Sequence, residues 1–194
     1  VAAVGETAFD LELIPGEFRD AALARLVAGN GEGWLFYTNN MYGLELVWRN
    51  FRALRERGLY EQALLTAYQS VRTNTRGQVA EFLFCNADKA KLRSLGAPLP
   101  HPGPFRLYRG VAGKGRARNV RGLSWTESFD VAKWFAERFA RPDCNLLASP
   151  AVFEVTVPES AVLAYLTDRK EEEFIVLLER EMEPRRVWPE KPKR

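Results

Sequence analysis

"APLPHPGP", Ala97–Pro104, decides how this chain is read. Four of its eight residues are proline. Each fixes φ and lacks an amide donor, so neither a helix nor a central strand can run through the stretch. Before it the apolar residues recur with a helical period, and after it with a β period. On the helical side, Pro15–Ala28 opens with a proline suited to a first turn, repeats Phe18, Ala22 and Leu26, and ends at Gly29. After the capping-type "TNN" at Thr38–Asn40, one face carries Leu44, Val47, Trp48, Phe51 and Leu54 before Gly58 stops the helix. Tyr60–Val71 repeats Tyr60, Ala63, Leu64, Ala67, Tyr68 and Val71. "GQVAEFLF" fits helix or strand and is read as helix, and "NADKAKLRSLG" as a short capped helix ending near Gly96.

Beyond the prolines, "FRLYRGV", "NVRGLSWT", "AVFEVTV", "AVLAYLT" and "FIVLLERE" are short β-type runs, interrupted by one helix from about Asp130 to Ala140. A helical block followed by strands with a single helix among them predicts an α+β fold. Residues 1–96 form its helical N-terminal part, 97–104 a proline-rich connection and 105–194 a β-rich core, all in one globular unit.

Composition narrows the function classes. The 194 residues are 46% hydrophobic and 27% charged, the balance of a soluble globular chain with one substantial core. A net charge of +3 from 28 basic and 25 acidic residues is too slight to argue for a nucleic-acid partner. Cys85 and Cys144 make no disulfide framework, so free thiols and a reducing compartment are expected. The chain begins at Val1 with no basic-then-apolar leader, as expected of a trimmed or processed protein. No apolar stretch approaches the roughly 20 residues that span a bilayer, so no membrane role is expected. The single histidine, His101, lies between prolines and reads as a solvated loop residue. Zinc sites and Ser-His-Asp triads lack their parts.

Three short stretches carry candidate chemistry. In "FRLYRGV" a strand's alternation puts Phe105, Leu107 and Arg109 on one face, so Arg109 shares the side of two core residues and needs a partner. In "LSWTES" Leu123 and Trp125 share one face, while Ser124 and Thr126 project from the other beside Gly122, as a small polar shelf. The aromatics of "FDVAKWFAERF", near one stripe with Val131 and Arg138, read as core. In "KEEEFIVLLERE" the alternation sends Glu171, Glu173 and Ile175 one way and Glu172 and Phe174 the other. Two carboxylates on one face repel, which raises one pKa, and attract a cation or a hydroxyl-bearing ligand.

In this order the motifs are an arginine near the end of a first strand, Ser-x-Thr ending a second, and Glu-x-Glu entering a late apolar strand. Together they resemble the Arg-Ser-Glu class of ADP-ribosyltransferases, of bacterial or phage type. The likeness runs from Phe105 to Leu178, with "LYRG" at Arg109 and Gly110 and an Ala-x-x-Phe helix from Ala132. Where the class has Ser-Thr-Ser, this chain has Ser124-Trp125-Thr126, keeping the first and last hydroxyls. The resemblance implies a split, mainly antiparallel sheet and NAD as substrate, with no metal. It implies NAD contacts at Arg109, Gly110, Ser124, Trp125, Thr126 and Glu173.

The resemblance also implies catalytic roles for Arg109, Ser124, Glu171 and Glu173. Breaking the nicotinamide–ribose bond develops positive charge on the sugar, the kind of transition state that carboxylates stabilise in glycoside hydrolysis. Glu173 is expected to hold the ribose hydroxyl and that charge. Arg109 is expected to fix the pyrophosphate, Ser124 to orient Glu173, and Glu171 to activate the acceptor. The expected activity is mono-ADP-ribosyl transfer to a macromolecular acceptor, protein arginine first. It would act in the cytoplasm of the producing cell or of a target cell. The alternatives are NAD hydrolysis at the same site, a nucleic-acid acceptor, or a silent binding module. The basic loop "GKGRARNVRG", with Lys114, Arg116, Arg118 and Arg121, is either a solvated loop or an anion contact.

Overall fold

A computed structural model of the chain describes residues 7–70, 77–144, 147–167 and 172–189. It is mixed α+β and divides into two compact units, residues 1–92 and 93–194. The first unit is helical: α1 (Arg19–Val27), α2 (Gly43–Arg49), α3 (Phe51–Glu56), α4 (Tyr60–Ser70) and α5 (Gly77–Cys85). A further helix, α6 (Lys89–Leu95), runs across the division. Arg93 in its last turn donates to the carbonyls of Glu159 and Val162, both at 2.7 Å. That explains why the division falls ahead of the prolines.

Contacts distant in sequence correct the helical reading. The single helix expected after Thr38 is two helices, because Asn50 leaves the helical path at φ −97°, ψ 12°. Its buried amide donates to Leu46 O and Asp10 O and accepts from Asp10 N–H. Phe18 and Trp48, expected on buried stripes, are exposed, stacking on Tyr37 and meeting Phe82 edge-on. "GWLFY" forms a 3-10 turn, Gly33–Tyr37, that buries Trp34 and Leu35 and leaves Phe36 79% exposed. Asp88 caps α6 by accepting from the N–H groups of Ala90 and Lys91.

The second unit contains β1 (Phe105–Val111), β2 (Ser124–Trp125), α7 (Phe129–Ala140), β3 (Ala151–Val157), β4 (Val162–Leu166), β5 (Glu173–Val176) and β6 (Arg185–Trp188). They make two three-stranded antiparallel sheets, ordered β1-β3-β6 and β2-β5-β4. An antiparallel bridge between Tyr108 and Thr126 joins them, with N–H···O bonds of 2.7 and 3.0 Å. One core lies between the sheets: Phe105, Leu107, Val155 and Val157 from the first, Trp125, Tyr165, Phe174 and Val176 from the second. The prolines of 97–104 carry no helix or strand. Among the described residues no helix is long and apolar enough to cross a membrane.

Helix α7 starts where the Ser128 hydroxyl accepts from Val131 N–H. Its fully buried residues are alanines, while Phe129, Phe135 and Phe139 of the aromatic set are half-buried. Ala132 and Ala136 turn inward, while Trp134 is 50% exposed with Arg138 over its ring. The reason is Gly110 on β1. A Cβ there would overlap the Ala132 carbonyl oxygen and lie 2.8 Å from Ala136 N, so strand and helix backbones touch and only alanines fit between them.

The strand β6, absent from the sequence pattern, pairs with β3 and brings in an arginine. Glu154 on β3 is 4% exposed and accepts from Arg106 Nε at 2.6 Å and from Arg185 Nε and Nη2 at 2.8 and 2.6 Å. Burial pushes this carboxyl up. The hydrogen bonds from Arg185 and Arg106, with their charges, outweigh it and hold the carboxyl below its ordinary 4.5. A depressed folded-state pKa means that this stabilisation is present above 4.5 and is lost as pH falls through the folded value.

Gly110→Ala should lower stability by about 3 kcal/mol, because rigid backbone, not a side-chain tip, opposes the added methyl. The check is the urea midpoint of the full chain. An unchanged midpoint would mean that α7 does not rest on β1 in this way.

Candidate functional site

The Tyr108–Thr126 bridge sets adjacent residues of the two sheets side by side, and Arg109 follows it directly. The Arg109 side chain is half-buried. Nη1 donates to Ser124 O at 2.7 Å and Nε to Asn119 O at 3.2 Å. Its guanidinium lies against Gly122, where a Cβ would come within 2.5 Å of Nη2 and 2.8 Å of Cζ. The cation required by the strand pattern therefore finds carbonyl partners on the segment entering β2.

Ser124 pairs with Ile175 and Trp125 with Phe174, so Glu173, two residues from Ile175, is a diagonal neighbour of Ser124 on the same face. Cα atoms in that relation are roughly 7–8 Å apart. On its other side Glu173 pairs with Leu166 of β4. Trp125 and Phe174 turn into the core, and the indole N–H donates to Gly122 O at 2.7 Å. The Thr126 hydroxyl accepts from Ser128 N–H, forming the turn into α7. Arg109, Ser124 and Glu173 thus belong to three neighbouring strands, with Ser124 between the other two. Gly110 seats α7, Trp125 packs the core and Thr126 makes a turn. Glu171, the other acid of the pair, lies outside the described residues.

The strand reading shortens at both flanks of this region, and one residue explains both ends. "NVRGLSWT" yields only Ser124–Trp125, and "FIVLLERE" stops at Val176. Arg121 donates to the carbonyls of Leu178, Glu179 and Met182 at 3.1, 2.6 and 3.0 Å, occupying acceptors that a continued strand would use. Arg118 does the same for Gly113 and Ser149, both at 3.0 Å. Two of the four cations of the basic loop therefore tie the chain together, a role the composition of the loop did not suggest.

No protein-family model, curated protein or solved structure matches the chain. Among the described residues no group of three or more His, Cys, Asp or Glu side chains could hold a metal ion. Glu172 is exposed, and with Glu127 it lies near enough to Tyr165 to add to the effect of burial, which pushes that phenol up.

His101, read as a solvated loop residue, is exposed but bonded at both nitrogens. Nδ1 lies 2.8 Å from Pro102 O, Nε2 lies 2.9 Å from Glu127 Oε1, and the ring packs on Phe105. Both partners accept, so both nitrogens donate only in the imidazolium form. The bond to Pro102 O and then that to Glu127 raise the pKa above 6.5. A raised folded-state value means that the stabilisation is fully present below 6.5 and is lost as pH rises through the folded value. His101 is the chain's one histidine, so imidazole resonances of an untagged chain report it alone. Their midpoint should lie above 6.5 and move down in Glu127→Gln. An equal midpoint in both proteins would show that the Glu127 contact does not form.

Proposed function

We propose that the chain is a mono-ADP-ribosyltransferase that cleaves NAD at the nicotinamide–ribose bond and passes ADP-ribose to a macromolecular acceptor, protein arginine first. The observation that carries this reading is Ser124 standing between Arg109 and Glu173, bonded to one through its carbonyl and diagonal to the other on a shared face. The two antiparallel sheets bridged at Tyr108 and Thr126 lend the reading further support, since the resemblance implies a split, mainly antiparallel sheet.

In this reading nicotinamide leaves with the electron pair of the glycosidic bond and becomes neutral. Positive charge develops at the ribose carbon, beside the Glu173 carboxylate. An acceptor nitrogen then bonds to that carbon, and its proton passes to Glu171. Arg109 holds the pyrophosphate charge. Nothing in these steps calls for a metal. The reading has the protein acting in a cytoplasm, its own or that of a target cell, where NAD is supplied. A nucleic-acid acceptor gains no support from Arg118 and Arg121, whose guanidinium groups hold backbone carbonyls.

Incubated with NAD and a protein mixture, the chain should release nicotinamide and leave ADP-ribose on arginine side chains. Nicotinamide release at the same rate without an acceptor would instead identify a hydrolase. Glu173→Gln should lower release at least about a hundredfold, leave NAD binding measurable and not lower the melting temperature. Full activity in that variant, or no NAD binding by the wild-type chain, would overturn the proposal.

A further inference from the structure

The approach to β2 is short of room in one place. Gly122 has no positive φ, so its backbone does not demand glycine. What demands it is the Arg109 head group, since a Cβ at 122 would lie 2.5 Å from Nη2, 2.8 Å from Cζ and 3.2 Å from Nε. All three atoms belong to the end of a flexible side chain, so an added methyl would displace the guanidinium and leave the backbone where it is. The guanidinium meanwhile bonds to carbonyls on both sides of Gly122, those of Asn119 and Ser124. Asn119 holds φ at +31°, in the left-handed region that asparagine tolerates better than most residues. The far side of this loop is fixed by Arg118 on Gly113 and Ser149 and by Arg121 on Leu178, Glu179 and Met182. The cradle under Arg109 is therefore built before any ligand arrives.

We infer that Gly122 is a positioning residue: its bare Cα is the floor on which the Arg109 guanidinium lies flat, held in plane by the Asn119 and Ser124 carbonyls and set in advance for an anionic diphosphate. The dinucleotide part of this statement rests on the function proposed above, while the geometric part does not. Gly122 touches no reacting atom in this account. It acts through Arg109, on the affinity for the diphosphate and not on the chemical step.

The two parts are tested by separate measurements on the full chain. The first uses no NAD. The Arg109 Nε–H, identified by its loss in Arg109→Lys, should exchange slowly with solvent in the wild type and quickly in Gly122→Ala, at an unchanged melting temperature. Equally slow exchange in both would overturn the inference, and so would a melting temperature that falls in step with the exchange. The second measurement is steady-state NAD turnover. Gly122→Ala should raise KM about tenfold, the worth of one misplaced charge-assisted hydrogen bond, with kcat changed less than about twofold. In the Arg109→Lys background, where no guanidinium remains to be displaced, the same substitution should add nothing. A multiplicative effect in the double variant would assign Gly122 to the structure generally and overturn its positioning role. If the wild type neither binds nor turns over NAD, the proposed function and the diphosphate part fall together. The exchange measurement then still decides for or against the cradle.

Discussion

The second unit depends on one pair of hydrogen bonds, those exchanged by Tyr108 and Thr126. They are the bridge by which the β1-β3-β6 sheet joins the β2-β5-β4 sheet. Because side chains alternate along a strand, fixing this pair also fixes which neighbours face the shared core. Phe105 and Leu107 on one side and Trp125 on the other meet Phe174 and Tyr165 there. The same pairing brings Arg109 within reach of the Ser124 carbonyl. A shift of one residue at the bridge would turn Trp125 and Phe174 away from the first sheet and Ser124 and Glu173 toward it, since the β2–β5 register is unaffected.

Around this bridge the chain relies on arginine where regular structure gives out. The segment between β1 and β2 has almost no ladder of its own, and the turn after β5 has none. Backbone carbonyls in such segments still need donors. Arg109, Arg118 and Arg121 supply them, each reaching at least two carbonyls with the fork of the guanidinium. Lysine would offer a point charge without that geometry. A loop rich in glycine and arginine can therefore be a set of internal ties, even though its composition looks like that of an anion-binding surface.

How much of this was legible in the sequence depended on whether the deciding contact was local. The prolines of 97–104, the alternation in "FRLYRGV" and "AVFEVTV", and the helical repeats of Tyr60–Val71 express constraints within a few residues, and the elements stand where those patterns put them, Val71 itself lying outside the described residues. The same alternation put Glu173 and Ile175 on one face and Phe174 on the other, as the pairing has it. What the pattern could not carry was decided at long range. The inward face of α7 is set by the missing side chain of Gly110, some twenty residues earlier, so Ala132 and Ala136 are fully buried while Trp134 is exposed and Phe135 and Phe139 are only half-buried. β6 needs Glu154 as a partner for Arg185 before its pairing becomes visible. The ends of β2 and β5 are set by Arg121 reaching across to Leu178, Glu179 and Met182. Asn50 breaks a helix because Asp10, far back in the chain, is there to receive it.

In the proposed function Arg109, Ser124 and Glu173 border one dinucleotide site. The most direct measurement is a crystal structure with a non-hydrolysable NAD analogue in which carbon replaces the nitrogen of the glycosidic bond. The diphosphate should lie on Arg109 and the nicotinamide-side ribose at Glu173, with Ser124 between them. An analogue bound elsewhere, with those three side chains untouched, would contradict it.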